Sequence, residues 1–166
     1  FVTAPWGEPS MTVYRFNPGS STFSPAGTVN TSMISFEQSV VKEDKAYFFG
    51  STYEEANLLA FSRSNLSLSI ASQAPGALGL GTFMLDGDSV LYAGGGEAFN
   101  TGYTRQFWKY QLSSGTWYRL NDLPFDCISS SSFNVEGRCY AVAINNVLWE
   151  YNPGNDSWDT RSAYPG

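Results

Sequence analysis

Two carboxylate clusters, Glu43-Asp44 and Asp86-Gly87-Asp88, bring the sequence closest to acid–base or cation chemistry. A calcium site needs about six to eight oxygens converging from one loop or several. Glycoside hydrolysis needs two carboxyl groups facing each other across roughly 5–10 Å. These clusters fall one per hairpin, and Asp-Gly is what a tight hairpin turn selects on backbone grounds. Turn geometry therefore accounts for them, and neither a catalytic residue nor a metal ligand is assigned. The chain has no histidine, which removes a Ser-His-Asp triad, an imidazole general base and a His-ligated zinc or copper site. No cofactor is implied. The two cysteines, Cys127 and Cys139, are too few for a disulfide scaffold. A hairpin over 131–142, turning at Glu136-Gly137, sets Cys139 opposite Asn134 and Cys127 opposite Asn146. That register keeps the Cα atoms beyond the roughly 7 Å a disulfide allows, so no intrachain bond is expected.

The remaining chemistry-bearing residues gather in three segments. Segment 96–105 joins Glu97, Phe99, Tyr103 and Arg105. Aromatics and an arginine on one loop have the composition of a recognition hot spot; alternatively, Phe99 and Tyr103 fold back as caps. Tyr53-Glu54-Glu55 could take a basic or polyhydroxyl ligand, or be a solvated acidic turn. Phe125-Asp126 completes the candidate set. Nine Lys+Arg against fifteen Asp+Glu, a net charge of −6, provide no concentrated basic patch, so no nucleic-acid partner is expected. No apolar run approaches the roughly 18–20 residues of a membrane helix, so no direct membrane insertion is expected. The length of 166 residues suits one globular domain with its own core. The chain opens at Phe1 without an initiator Met or a leader, and the expectation is a mature product, a proteolytic fragment or a trimmed chain.

The elements that would hold these residues are strands. Amphipathic helix pattern is almost absent, while 16 Gly and 8 Pro punctuate short runs rich in Val, Phe, Tyr and Trp. The pattern repeats. Phe16, Phe61, Tyr110 and Tyr151 lie 45, 49 and 41 residues apart. Two residues before each stands a large apolar residue (Tyr14, Leu59, Trp108, Trp149), and seven after each another (Phe23, Leu68, Trp117, Trp158). Tyr47, Tyr92 and Tyr140 mark a strand upstream of the last three anchors, and 36–41, 81–85 and 131–135 read as a further strand before each. Every unit is thus four antiparallel strands, a to d. Seven-residue spacing across a tight c–d turn puts anchor and partner on neighbouring strands. One such sheet cannot bury both faces, and stacking sheets around an axis, with aromatics in the wedges, is the propeller solution.

The sequence at this point resembles the kelch repeat. Val90-Leu-Tyr-Ala-Gly-Gly-Gly96, Trp108-Lys-Tyr110, Thr116-Trp117 and Leu123-Pro124 match its double glycine, its Tyr and its Trp followed by Pro. Leu148-Trp-Glu-Tyr-Asn-Pro-Gly-Asn-Asp-Ser-Trp158 is similar to the hairpin of secreted bacterial kelch proteins. Other copies depart: Phe49-Gly50 and Val142-Ala143 stand for the double glycine, and Leu68 for the Trp. The expected fold is an all-β, kelch-like β-propeller segment. It divides into a partial blade at 1–30, with its c–d hairpin at 12–28, and blades at 31–75, 76–125 and 126–166. WD-type and sialidase-type readings fail, for want of the Gly-His signature and of an Asp box.

Three and a half blades fall short of the roughly four that close a ring. The remaining blades are expected from a longer polypeptide, with other copies of the chain or an open arc as alternatives. The resemblance implies binding through the b–c loops (51–57, 97–105, 144–146) and the d–a loops (30–35, 75–80, 125–128). It implies a non-catalytic recognition or scaffold module of a secreted or cell-surface bacterial protein, with a protein or glycan partner. The alternatives are a kelch-type carbohydrate-active enzyme, such as a sialic-acid epimerase or mutarotase, and an intracellular, cytoplasmic substrate adaptor. An enzyme would show Arg, Glu and Tyr converging on the channel mouth. Copper radical oxidases of this fold use His and Tyr ligands, so the lack of His excludes that role for this segment unless the remaining blades supply them. Many kelch proteins carry an Arg where Phe125-Asp126 stands, so no anionic-peptide pocket carries over.

Overall fold

The computed structural model describes residues 2–3, 10–30, 35–51, 56–76, 81–87, 89–98, 102–127 and 131–163. Tyr53, Glu54, Glu55, Phe99 and Asp88 lie outside them. The described residues form strands and turns and no helix. Sheet I holds β1 (Val2–Thr3), β2 (Ser10–Asn17) and β3 (Thr22–Asn30). Sheet II runs in chain order through β4 (Ser35–Lys42), β5 (Lys45–Ser51), β6 (Ala56–Ser62) and β7 (Ser67–Gln73). In sheet III, β8 (Thr82–Asp86) and β9 (Val90–Gly94) are followed by a small ribbon of β10 (Glu97–Ala98) and β11 (Gly102–Tyr103). The sheet resumes with β12 (Phe107–Gln111) and β13 (Thr116–Arg119). Sheet IV is β14 (Ser131–Val135), β15 (Arg138–Val142), β16 (Val147–Asn152) and β17 (Ser157–Ala163).

Local turn chemistry sets these hairpins. In the two-residue connections Glu43-Asp44 and Glu136-Gly137, Glu43, Glu136 and Gly137 have positive φ, which matches the twist of the strands they join. The four turns between the last two strands of each sheet end on Ser21, Leu66, Gly115 and Asp156, all at φ between 51° and 66°. Those positions recur at the spacing of the aromatic anchors. The anchors and their partners seven residues on are direct cross-strand neighbours: Phe16 with Phe23, Phe61 with Leu68, Tyr110 with Trp117 and Tyr151 with Trp158.

The sheets stack in chain order. Phe49 and Leu58 of sheet II pack with Phe83, Leu91, Ala93 and Tyr110 of sheet III. Met84, Tyr92 and Phe107, on the other face of sheet III, pack with Cys139, Ala141 and Tyr151 of sheet IV. Tyr151 meets Tyr92 and Phe107 edge-on, each at a centroid separation of 5.0 Å. The first strands of sheets II, III and IV lie side by side along one edge of the stack. Among the described residues, sheet I makes no substantial contact with sheet IV, so the stack is open.

Cys127 and Cys139 are both buried and form no disulfide. Cys139 faces Asn134 across the hairpin, as the register requires. Cys127 is not opposite Asn146, because the β14–β15 ladder stops at the Ser131–Val142 pair. It turns instead toward sheet III, with its Sγ 2.9 Å from Thr82 Oγ1 and its carbonyl accepting from the Gly96 N–H at 2.7 Å.

Candidate functional site

The segment 96–105 is built from its glycines upward. Gly95 has φ of +71°, and a Cβ there would lie 2.5 Å from Cys127 Cβ and 2.9 Å from Leu123 Cδ1. Glycine at this position lets the backbone leaving β9 pass close beneath the 123–127 segment. The Gly95 N–H donates to Gln106 O at 2.8 Å, and the Leu123 N–H to Arg105 O at 2.8 Å. The Thr104 N–H donates to Gly96 O at 3.0 Å. Between these ties, Glu97 pairs with Tyr103 and Ala98 with Gly102, so the segment is a short antiparallel ribbon with an anchored base.

This architecture separates the sequence candidates. Tyr103 is 62% exposed and does not cap the sheet. Arg105 Nε donates to Asp126 Oδ1 at 2.8 Å, an exposed ion pair joining the ribbon base to the segment that leads into sheet IV. The hydrogen bond from Arg105, then its charge, holds the Asp126 carboxyl below the usual carboxylate range, and the same pair raises the guanidinium. The backbone of Glu97 lies in the ribbon opposite Tyr103. Phe125 departs from its expected place on the binding face. It is 5% exposed, stacked on Trp149 at 5.2 Å and edge-on to Trp158 at 5.3 Å, and so fills the wedge between sheets III and IV. Arg105 and Asp126 are thus brought together, with Tyr103 exposed two residues before Arg105, while Phe125, next in the chain to Asp126, points inward.

The carboxylate clusters act locally. Asp44 accepts from the Ser62 hydroxyl at 3.0 Å and the Ser64 N–H at 3.1 Å, with Arg63 Nε 3.4 Å away. The side chain of Ser64 is the largest effect lowering the Asp44 pKa, with the Ser62 hydroxyl, the Ser64 N–H and the Arg63 charge adding to it. Asp86 accepts from the Tyr92 hydroxyl at 3.4 Å. No group of three or more metal-ligating side chains occurs among the described residues.

One feature eluded sequence reasoning. A cavity of about 620 Å³ opens along the first strands of sheets II, III and IV, with Gln38, Ser132 and Asn134 in its lining. Ser132 Oγ accepts from the Phe83 N–H at 2.9 Å, and has Phe83 O and Gln38 Oε1 as acceptors for its own proton. Gln38 Nε2 donates to Gly81 O at 3.2 Å. One hydroxyl thereby bridges the inner strands of three sheets. The available signal was a polar residue in the inner strand of two units. No family model matches the chain, and no curated protein matches it.

Proposed function

We propose that the chain is a kelch-like propeller segment that serves as a non-catalytic recognition or scaffold module, with the β10–β11 ribbon at the centre of its binding face. The anchored ribbon is the observation that carries this reading. It holds an exposed tyrosine beside an arginine on a base fixed by four backbone hydrogen bonds. Such preorganisation lowers the ordering cost of binding, and Tyr and Arg are the residue types that dominate recognition hot spots. The repeated four-strand sheets with aromatic cross-strand pairs support the propeller assignment, and the resemblance to secreted bacterial kelch hairpins supports a secreted or cell-surface setting. A carbohydrate-active enzyme calls for Arg, Glu and Tyr converging on the channel mouth. The described lining of the inner-strand cavity is amide, hydroxyl and apolar.

The test is a screen of the purified chain against an immobilised oligosaccharide array and a displayed peptide library, run beside Tyr103→Ala and Arg105→Ala. A retained oligosaccharide or peptide whose binding falls at least tenfold in Tyr103→Ala, at unchanged melting temperature, supports the proposal. Binding that is indifferent to both substitutions overturns the assignment of this face.

A further inference from the structure

We infer that the two open ends of the sheet stack bind each other between copies of the chain, sheet IV of one molecule receiving the Phe16–Phe23 pair of the next. The inference rests on the stack itself and holds whatever ligand the ribbon takes. Within the molecule, the same two elements meet at successive junctions. The cross-strand aromatic pair of one sheet packs against the second-strand tyrosine face of the sheet before it. Tyr110 and Trp117 share a cluster with Tyr47 and Val40 of sheet II. Tyr151 and Trp158 share one with Tyr92 and Met84 of sheet III.

Sheet IV presents the next tyrosine face with nothing described against it. Phe133 and Tyr140 are cross-strand partners, as are Met84 and Tyr92, and Val40 and Tyr47. Met84 is 1% exposed, whereas Phe133 is 42% and Val135 51% exposed. Sheet I presents the matching half. Met11, Val13 and Val29 are buried on the face that carries Gly27, where an added Cβ would meet Leu66 of sheet II. Phe16 and Phe23 lie on the opposite face, 49% and 56% exposed, with ring centroids 4.9 Å apart. The two ends are therefore the two halves of one repeated interface, a heterologous contact that closes a ring or runs on as a filament. Two copies joined at both ends enclose eight sheets, four from each, within the known range of about four to eight for propellers.

Light scattering on the purified chain is expected to give twice the monomer mass. Phe16→Asp and Phe133→Asp each spoil one half of the contact at an exposed position, and each is expected to run as a folded monomer with the wild-type far-ultraviolet circular dichroism spectrum. Mixed one to one they retain one intact junction, and the mixture is expected to recover a dimer at concentrations where either variant alone is monomeric. A wild-type chain that stays monomeric at high concentration, as it would if these ends take other domains, overturns the inference. So does a Phe16→Asp variant that dimerises by itself, since that would be a symmetric contact.

Discussion

At the scale of single residues, backbone conformation decides more than side-chain chemistry. Gly95 and Gly115 both sit at positive φ, but the first lies under Cys127 and Leu123, while the nearest atom to an added Cβ at the second is Tyr110 Oη at 3.5 Å. Gly115→Ala is expected to cost about 1–2 kcal/mol from backbone strain alone. Gly95→Ala adds steric overlap and is expected to cost about 2–5 kcal/mol. Urea denaturation of the two variants checks the difference. Equal losses would show that the close approach beneath segment 123–127 does not constrain residue 95.

Among elements, the wedges between sheets carry the stability and the ribbon carries little of it. Phe125 and Tyr103 both entered the candidate binding set, yet one is buried between two tryptophans and the other is exposed. Phe125→Ala is expected to destabilise by about 3–5 kcal/mol through lost burial and a cavity. Tyr103→Ala is expected to stay within about 0.5 kcal/mol. Thermal and urea unfolding of both variants tests this division. The Arg105–Asp126 pair is exposed, and such pairs contribute about 0–1 kcal/mol. Its role is to hold the ribbon base rather than the fold.

For the whole molecule, the buried interfaces carry neutral titratable groups. Burial pushes the Cys139 thiol up to about 11 from an ordinary value of 9.0. Burial is also the largest cause raising Tyr92 and Tyr151, which meet at the junction of sheets III and IV. Each is an acid whose neutral form the fold favours. The associated stability is fully present below the unfolded pKa and is lost as pH rises through the folded one. The melting temperature is expected to hold up to about pH 9 and to fall between 9 and 11, with a shallower fall in Cys139→Ala. An identical alkaline slope in that variant would assign the loss to other groups.

Alternation with period two, turn residues and repeat spacing were legible in the sequence because they are local. They yielded the strands, the placement of Tyr110 and Trp117, and of Tyr151 and Trp158, on neighbouring strands, where the structure makes them direct partners, and the pairing of Cys139 with Asn134. The gathering of Arg105 and Asp126 was only partly legible, as membership of two loops expected on one face. What tertiary structure decided is whatever depends on how sheets meet. It turned Phe125 into the wedge, placed Cys127 against Thr82, 45 residues away, and joined Gln38 to Ser132 across 94 residues. A periodic pattern states which side chains share a face of their own sheet. It carries no term for the offset between one sheet and the next, and that offset is set by the packing of bulky side chains in each wedge.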